Sequence, residues 1–189
     1  RVQKSGANYN ISKLEWYNNV YLKKLPFEEE KKRIFEYLKI NNPGLLKNYS
    51  LDYLTQILKI ELVRINKFSD IFEISKFFFQ KELNYPKELL VWKDSSYEHI
   101  LKSLEDAYQL LKEIPEGNFN AINLQEKIFN FIEQNTFYKN DRGKLLWPLR
   151  VALTGEKASP PPFEVAEILK KEETLKRIQR AINLIKGHE

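Results

Sequence analysis

DRGKLLWPLRVALTGEKASPPPFEVAEILKKEETLKRIQRAINLIKG, residues 141–187, is the stretch that decides the fold. Its apolar residues recur at three- and four-residue steps, with none of the two-residue alternation of a half-buried strand. The pattern predicts a helix with Pro148 in its first turn and its end at Gly155. A stiff Ser159-Pro160-Pro161-Pro162 turn should follow, then another helix. A closing helix over Glu173 to Lys186 should stop at Gly187.

Outward from this stretch the same periodicity continues. A first helix is expected after Ser12 as N-cap, with Leu14, Tyr17, Tyr21 and Leu25 towards the core. A second follows Pro26 with Glu28, Glu29 and Glu30 in its first turn, where the helix dipole favours negative charge, and Asn41-Asn42-Pro43-Gly44 should end it. Ser50 should cap a helix through Leu51, Leu54, Ile57, Leu58 and Leu62 that ends near Ile65, and a short helix should run from Ser69 into Phe77-Phe78-Phe79. Beyond Tyr85-Pro86 two more are expected, one through Ile100 to Leu111 that stops at Pro115-Glu116-Gly117, and one over residues 123 to 134. The expected fold is all-α, in two packed helical subdomains that meet near residues 77 to 86. The division is 1–27, 28–80 and 81–189.

Composition removes whole classes of chemistry. The 189 residues include no cysteine, two histidines (His99 and His188) and only 6 glycines, scattered singly. Disulfides, thiolate nucleophiles and cysteine zinc sites are excluded, and histidine catalysis has almost no material. No phosphate loop, dinucleotide fingerprint, metalloprotease motif or nucleophile elbow occurs. Glu105-Asp106 and Glu172-Glu173 are adjacent on helices, so their carboxylates diverge. The chain is expected not to be catalytic by itself. No apolar run reaches the roughly 18 residues that span a bilayer, and the start lacks a charged-then-apolar leader, so a soluble cytoplasmic protein is expected. A chain that begins at Arg1 and contains no methionine is expected to be part of a longer product.

The net charge of +5 is unevenly placed. Residues 1 to 84 carry 15 Lys/Arg against 10 Asp/Glu, and residues 85 to 189 carry 16 against 16. A basic half suits a polyanion, and equally a wet surface. From Tyr138 to Lys157, the cations Lys139, Arg142, Lys144, Arg150 and Lys157 stand against Asp141 and Glu156, with Tyr138 and Trp147 interleaved. Guanidinium groups beside aromatic faces suit unpaired RNA bases, while burial of Trp147 in a core is the competing explanation.

The order of the segments adds a resemblance. PLRVALTG (148–155), SPPPFE (159–164), EIL (167–169) and KEETLKRIQRAI (171–182) resemble the C-terminal end of bacterial-type glutamyl-tRNA synthetases. KSGANYNISKLEWYNNVYLKKL (4–25) resembles the segment after that family's catalytic half, and ELVRINKFSDIFE (61–73) and ELLVWKD (88–94) match more loosely. The resemblance implies a helical anticodon-binding cage, with residues 1–27 a remnant of the preceding stem-contact region. The partner it implies is tRNA for glutamate, bound by a monomer. Class I lysyl-tRNA synthetases share such a cage, and a helical protein-interaction domain is the other reading.

Carried over position by position, the resemblance implies that Arg64 reads the third anticodon base and Arg150 the first. It places Ser159 and Pro162 around the middle base. A helix-end charge at Arg64 and a plain helix start at the prolines are the structural alternatives. It also implies that ATP and magnesium serve a catalytic half whose motifs are missing here, with no cofactor in this part. Lys170 stands where the family often has glycine before the last helix, so that junction is expected to be more continuous or differently angled.

Overall fold

The computed structural model describes residues 10–187, and among them every regular element is helical. In chain order these are α1 (Ile11–Leu22), α2 (Phe27–Asn41), α3 (Pro43–Asn48), α4 (Leu51–Glu61), α5 (Asp70–Ser75), α6 (Tyr97–Lys112), α7 (Ala121–Gln134), α8 (Thr136–Lys139), α9 (Gly143–Thr154) and α10 (Pro162–Lys186). Short 3-10 turns join several of them. The KSGA run and His188 lie outside the described residues. The chain forms two compact units, 1–75 and 76–189.

The first unit is organised by its caps. The Ser50 hydroxyl accepts from the Tyr53 amide at 3.1 Å and starts α4, as the sequence predicts. Pro43 does more than end α2: it stands at the first position of α3, where a missing N–H costs nothing. Ile34 and Leu38 of α2 meet Leu58 of α4, with Leu62, Ile65 and Ile71, in a closed apolar cluster. Burying each such side chain contributes about 1.5–3 kcal/mol.

α1 departs from expectation. Asn10, not Ser12, is its N-cap, accepting from the Lys13 amide at 3.1 Å. Leu14, Tyr17 and Tyr21 are 43%, 44% and 67% exposed rather than in the core. The reason is rotational. Asn19 donates to the Ile65 carbonyl and to Asn66 Oδ1, both at 2.9 Å, and Leu22 packs on the apolar cluster. Asn19 and Leu22 share one face, which turns the 14–17–21 stripe away.

The second unit is a helical core in which α6, α9 and α10 pack on one another and α7 packs on α10. Ile100, Leu104 and Leu111 of α6, Leu145, Leu149 and Leu153 of α9, and Val165, Ile178 and Ala181 of α10 are buried in it. Pro148 lies in the second turn of α9, not the first. Asp141 Oδ1 accepts from the Gly143 amide at 3.1 Å and starts the helix a turn earlier than the proline suggested. Gly143 has to be glycine on steric grounds: an added Cβ would lie 2.3 Å from the Trp92 ring. Gly155 ends α9 in the left-handed conformation at φ 69°.

Inside α10, Lys170 takes φ 65° and ψ 166°, so the last helix is kinked despite having lysine at the junction. The helix resumes at once, ahead of the expected Glu173. The break is held from both sides: the Thr174 hydroxyl donates to the Ala166 carbonyl at 3.3 Å, and Lys171 Nζ donates to the Ile114 carbonyl at 2.6 Å. A side chain in this backbone region costs about 1–3 kcal/mol. Since Lys170 is exposed and packs against little, Lys170→Gly is expected to raise stability by about 1 kcal/mol. Urea denaturation measures it, and a lower midpoint in the glycine variant would show that the junction stores no strain.

Candidate nucleic-acid interface

In the second unit the candidate residues gather at the corner between α9 and α10. Arg150 is half-buried one turn before the end of α9, and its carbonyl accepts from the Thr154 hydroxyl at 2.8 Å. The same hydroxyl accepts from the Glu156 amide at 3.1 Å and guides the chain out of the helix. Lys76 Nζ meets Glu156 at 3.2 Å and pins the start of the turn. Ser159 is half-buried, and its hydroxyl donates to the Pro160 carbonyl at 2.9 Å, which leaves its oxygen lone pairs as acceptors. Pro160 and Pro162 are buried, with Pro162 at the first position of α10. The proline run is therefore a helix start, with Pro160 and Pro162 packed into the fold beside it.

Beyond Pro162, the Phe163 ring meets Phe129 of α7 edge-on at 6.1 Å, and the Arg142 guanidinium lies 5.2 Å from the Phe129 centroid. Arg142 is anchored by Glu133 at 2.5 Å. The sequence did not single out Phe129 and Phe163, because aromatic residues at helical spacing read as core.

The basic and aromatic stretch resolves unevenly. Tyr138 is fully buried, and its hydroxyl donates to Asp106 at 2.6 Å, with burial pushing the phenol pKa up. It cannot stack on a base. Trp147 is half-buried, donates to the Leu89 carbonyl at 2.9 Å and packs on Trp92 at 5.2 Å. Trp92 in turn donates to Asp141, whose carboxyl the Lys93 ammonium holds below the usual range. Both aromatic residues fix the frame, tying ELLVWKD to the start of α9. The cations remain outward: Lys139 and Lys157 are exposed, and Lys144 lies 4.5 Å from the Phe137 ring centroid.

Arg64 belongs to the first unit. It closes the 3-10 turn Leu62–Arg64 that follows α4, and its side chain is 24% exposed. Its Nη1 donates to Glu61 Oε2 at 2.5 Å. The backbone beyond it is held by Asn19 on the Ile65 carbonyl and by Asp70 Oδ2, which accepts from the Asn66 and Lys67 amides at 3.0 and 3.1 Å. The burial of Glu61 was not legible in the sequence, since a glutamate on a helix ordinarily faces water.

Comparison with known proteins adds to this geometry. The family model described as an anticodon binding domain matches residues 28–182. A glutamate–tRNA ligase of Clostridium botulinum is 32% identical over 189 residues, covering 98% of this chain and 37% of the relative. One from Clostridium acetobutylicum is 34% identical over 185 residues, 96% of this chain and 36% of the relative. Among solved structures, a glutamate–tRNA ligase from Elizabethkingia meningosepticum superposes with a TM-score of 0.72 at 25% identity, covering 96% of this chain and 34% of that one. The chain thus spans little more than a third of the length of the proteins it matches. No described helix is long and apolar enough to cross a membrane.

Proposed function

The chain belongs to the family of anticodon binding domains, and from that premise we propose that it reads the anticodon of glutamate tRNA for a glutamate–tRNA ligase. One observation carries the reading: the family match runs from α2 to α10 and so takes in both Arg64 and the α9–α10 corner. In this reading Arg64 contacts the third anticodon base and Arg150 the first, while Ser159 and Pro162 bound the pocket for the middle one. Arginine forks supply bidentate donors, and the proline wall supplies shape that does not change when a base enters. Activation of glutamate with ATP and magnesium falls to the part of the ligase that this chain does not span. The working form is a cytoplasmic monomer.

Titration of the chain with a glutamate tRNA transcript at several salt concentrations tests this. The logarithm of the association constant should fall linearly with the logarithm of salt, by about 0.7–0.9 per phosphate contact. A transcript altered at the first anticodon base should bind about 1–3 kcal/mol more weakly. Binding that ignores both salt and anticodon would favour a protein-interaction domain instead.

A further inference from the structure

We propose that the cleft between the 82–87 segment, the end of α9 and the last turns of α10 binds a nucleoside monophosphate, either free or as one residue of an RNA strand. It lies wholly in the second unit and uses none of the residues given to the anticodon, so it stands or falls apart from that reading.

The cleft encloses about 810 Å³, inside the roughly 300–1,000 Å³ range of small-molecule sites. A bare phosphate leaves most of that volume empty. Part of the lining is apolar, from Ala152 of α9 with Leu83 and Leu184. The Tyr85 ring is backed by the end of α9, where a Cβ added to Gly155 would lie 3.1 Å from Tyr85 Cδ1. This side of the cleft is therefore a fixed surface.

The polar lining is weighted towards donors. Arg177, Arg180 and Lys87 bring positive charge against the carboxylate of Glu82, which Arg180 already meets at 3.2 Å. The two arginines also hold the Gln80 and Lys81 carbonyls, so the fold accounts for them. Three other groups it does not account for. The half-buried Tyr85 hydroxyl makes no hydrogen bond among the described residues, although a phenol taken out of water ordinarily finds a partner. Lys87 lies 5.2 Å from the Tyr97 ring centroid and meets no carboxylate among the described residues. Asn183 spends its side-chain oxygen on Gln179 and keeps its amide donors.

Donors left over beside fixed positive charge suit a ligand that is anionic and rich in acceptors, and the apolar lining suits a flat body attached to it. A nucleoside monophosphate is both. Burial pushes the Tyr85 phenol up to about 12 even against the pull of Arg177, so it remains a donor at neutral pH. The helix end does not oppose an anion here, because the Gly187 amide covers the Asn183 and Leu184 carbonyls.

Isothermal titration of the whole chain with adenosine monophosphate, with adenosine and with a glutamate tRNA transcript tests the site. Tyr85→Phe deletes a hydroxyl that has no partner to lose, so the melting temperature should hold while affinity falls about tenfold, the worth of one hydrogen bond to a charged group. Lys87→Gln, at the surface, should weaken the same ligand by about threefold and gives a second reading that does not depend on packing. A fall for the transcript identifies the ligand as a residue of RNA. A fall for adenosine monophosphate alone identifies the free nucleotide. Affinities for both that neither variant lowers overturn the inference, and so does adenosine that binds as well as its monophosphate, since the phosphate is then not recognised.

Discussion

Arg177→Ala is expected to lower the unfolding free energy by about 3–5 kcal/mol, the cost of breaking a buried charged network from one side. Arg177 is 3% exposed in the middle of α10. Its Nη1 donates to the Leu153 carbonyl at 2.7 Å, its Nη2 to the Gln80 carbonyl at 3.0 Å and its Nε to Glu173 at 2.8 Å. Leu153 lies in the last turn of α9, where carbonyls have no helical partner. One side chain thus closes the end of α9, fastens the segment after Phe79 and neutralises Glu173. Alanine would orphan three acceptors and open a cavity together. Chemical denaturation measures the loss, and the neighbouring exposed Gln179→Ala should stay within about 0.5 kcal/mol of the parent. A loss of under about 1 kcal/mol for Arg177→Ala would mean that water replaces the guanidinium. The proposed reading makes this a test of function as well, because the same carbonyl lies at the helix end from which the turn carrying Ser159 and Pro162 departs.

That arginine also marks where the sequence stops being informative. The 171–182 run reads as a solvated amphipathic helix, and nothing in its periodicity separates Arg177 from Arg180. The structure buries the first. Arg180 stays at the surface on the Lys81 carbonyl and Glu82. Local signals were legible wherever the cause was local: the Ser50 cap, the acidic first turn of α2, and Gly155 and Gly187 at left-handed helix ends. They misled where the cause was tertiary. The stripe on α1 has the correct spacing, yet Asn19 chooses the face, through partners 46 and 47 residues away. At Lys170 the sequence argued from the cost of a left-handed lysine, and the packing of Thr174 and Lys171 across the break overrides that cost.

The site divides the same way. The corner built from PLR and the proline turn was legible because a rigid turn between two helices is written in consecutive residues. Tyr138 and Trp147 stayed ambiguous, since only the partners Asp106 and Leu89, distant in sequence, show that both are held inside the helical frame. The burial of Glu61 was invisible for a related reason. A glutamate three residues before an arginine is an ordinary surface pair on a helix, worth little, and only its complete burial changes what the pair does.

Arg64→Gln should narrow the preference for cytosine over guanine at the third anticodon base by about 1–3 kcal/mol. A guanidinium only donates. Cytosine presents acceptors at O2 and N3 on its pairing edge, whereas guanine presents two donor groups beside a single carbonyl, so an arginine aimed there donates to the first and is repelled by much of the second. Glutamine carries a donor and an acceptor in one amide and satisfies either edge in part. It also loses the charge that Glu61 holds at 2.5 Å, so the shorter amide is both less selective and less fixed. Arg150→Gln is the contrasting variant, since Arg150 lies on α9 in the other unit and the proposed reading gives it the first base. It should weaken binding of both transcripts and leave the third-base ratio in place. Comparison of the two transcripts by filter binding separates the cases: a ratio that moves with Arg150 and not with Arg64 would exchange their roles, and a ratio that moves with neither would return Arg64 to being the charged end of a helix.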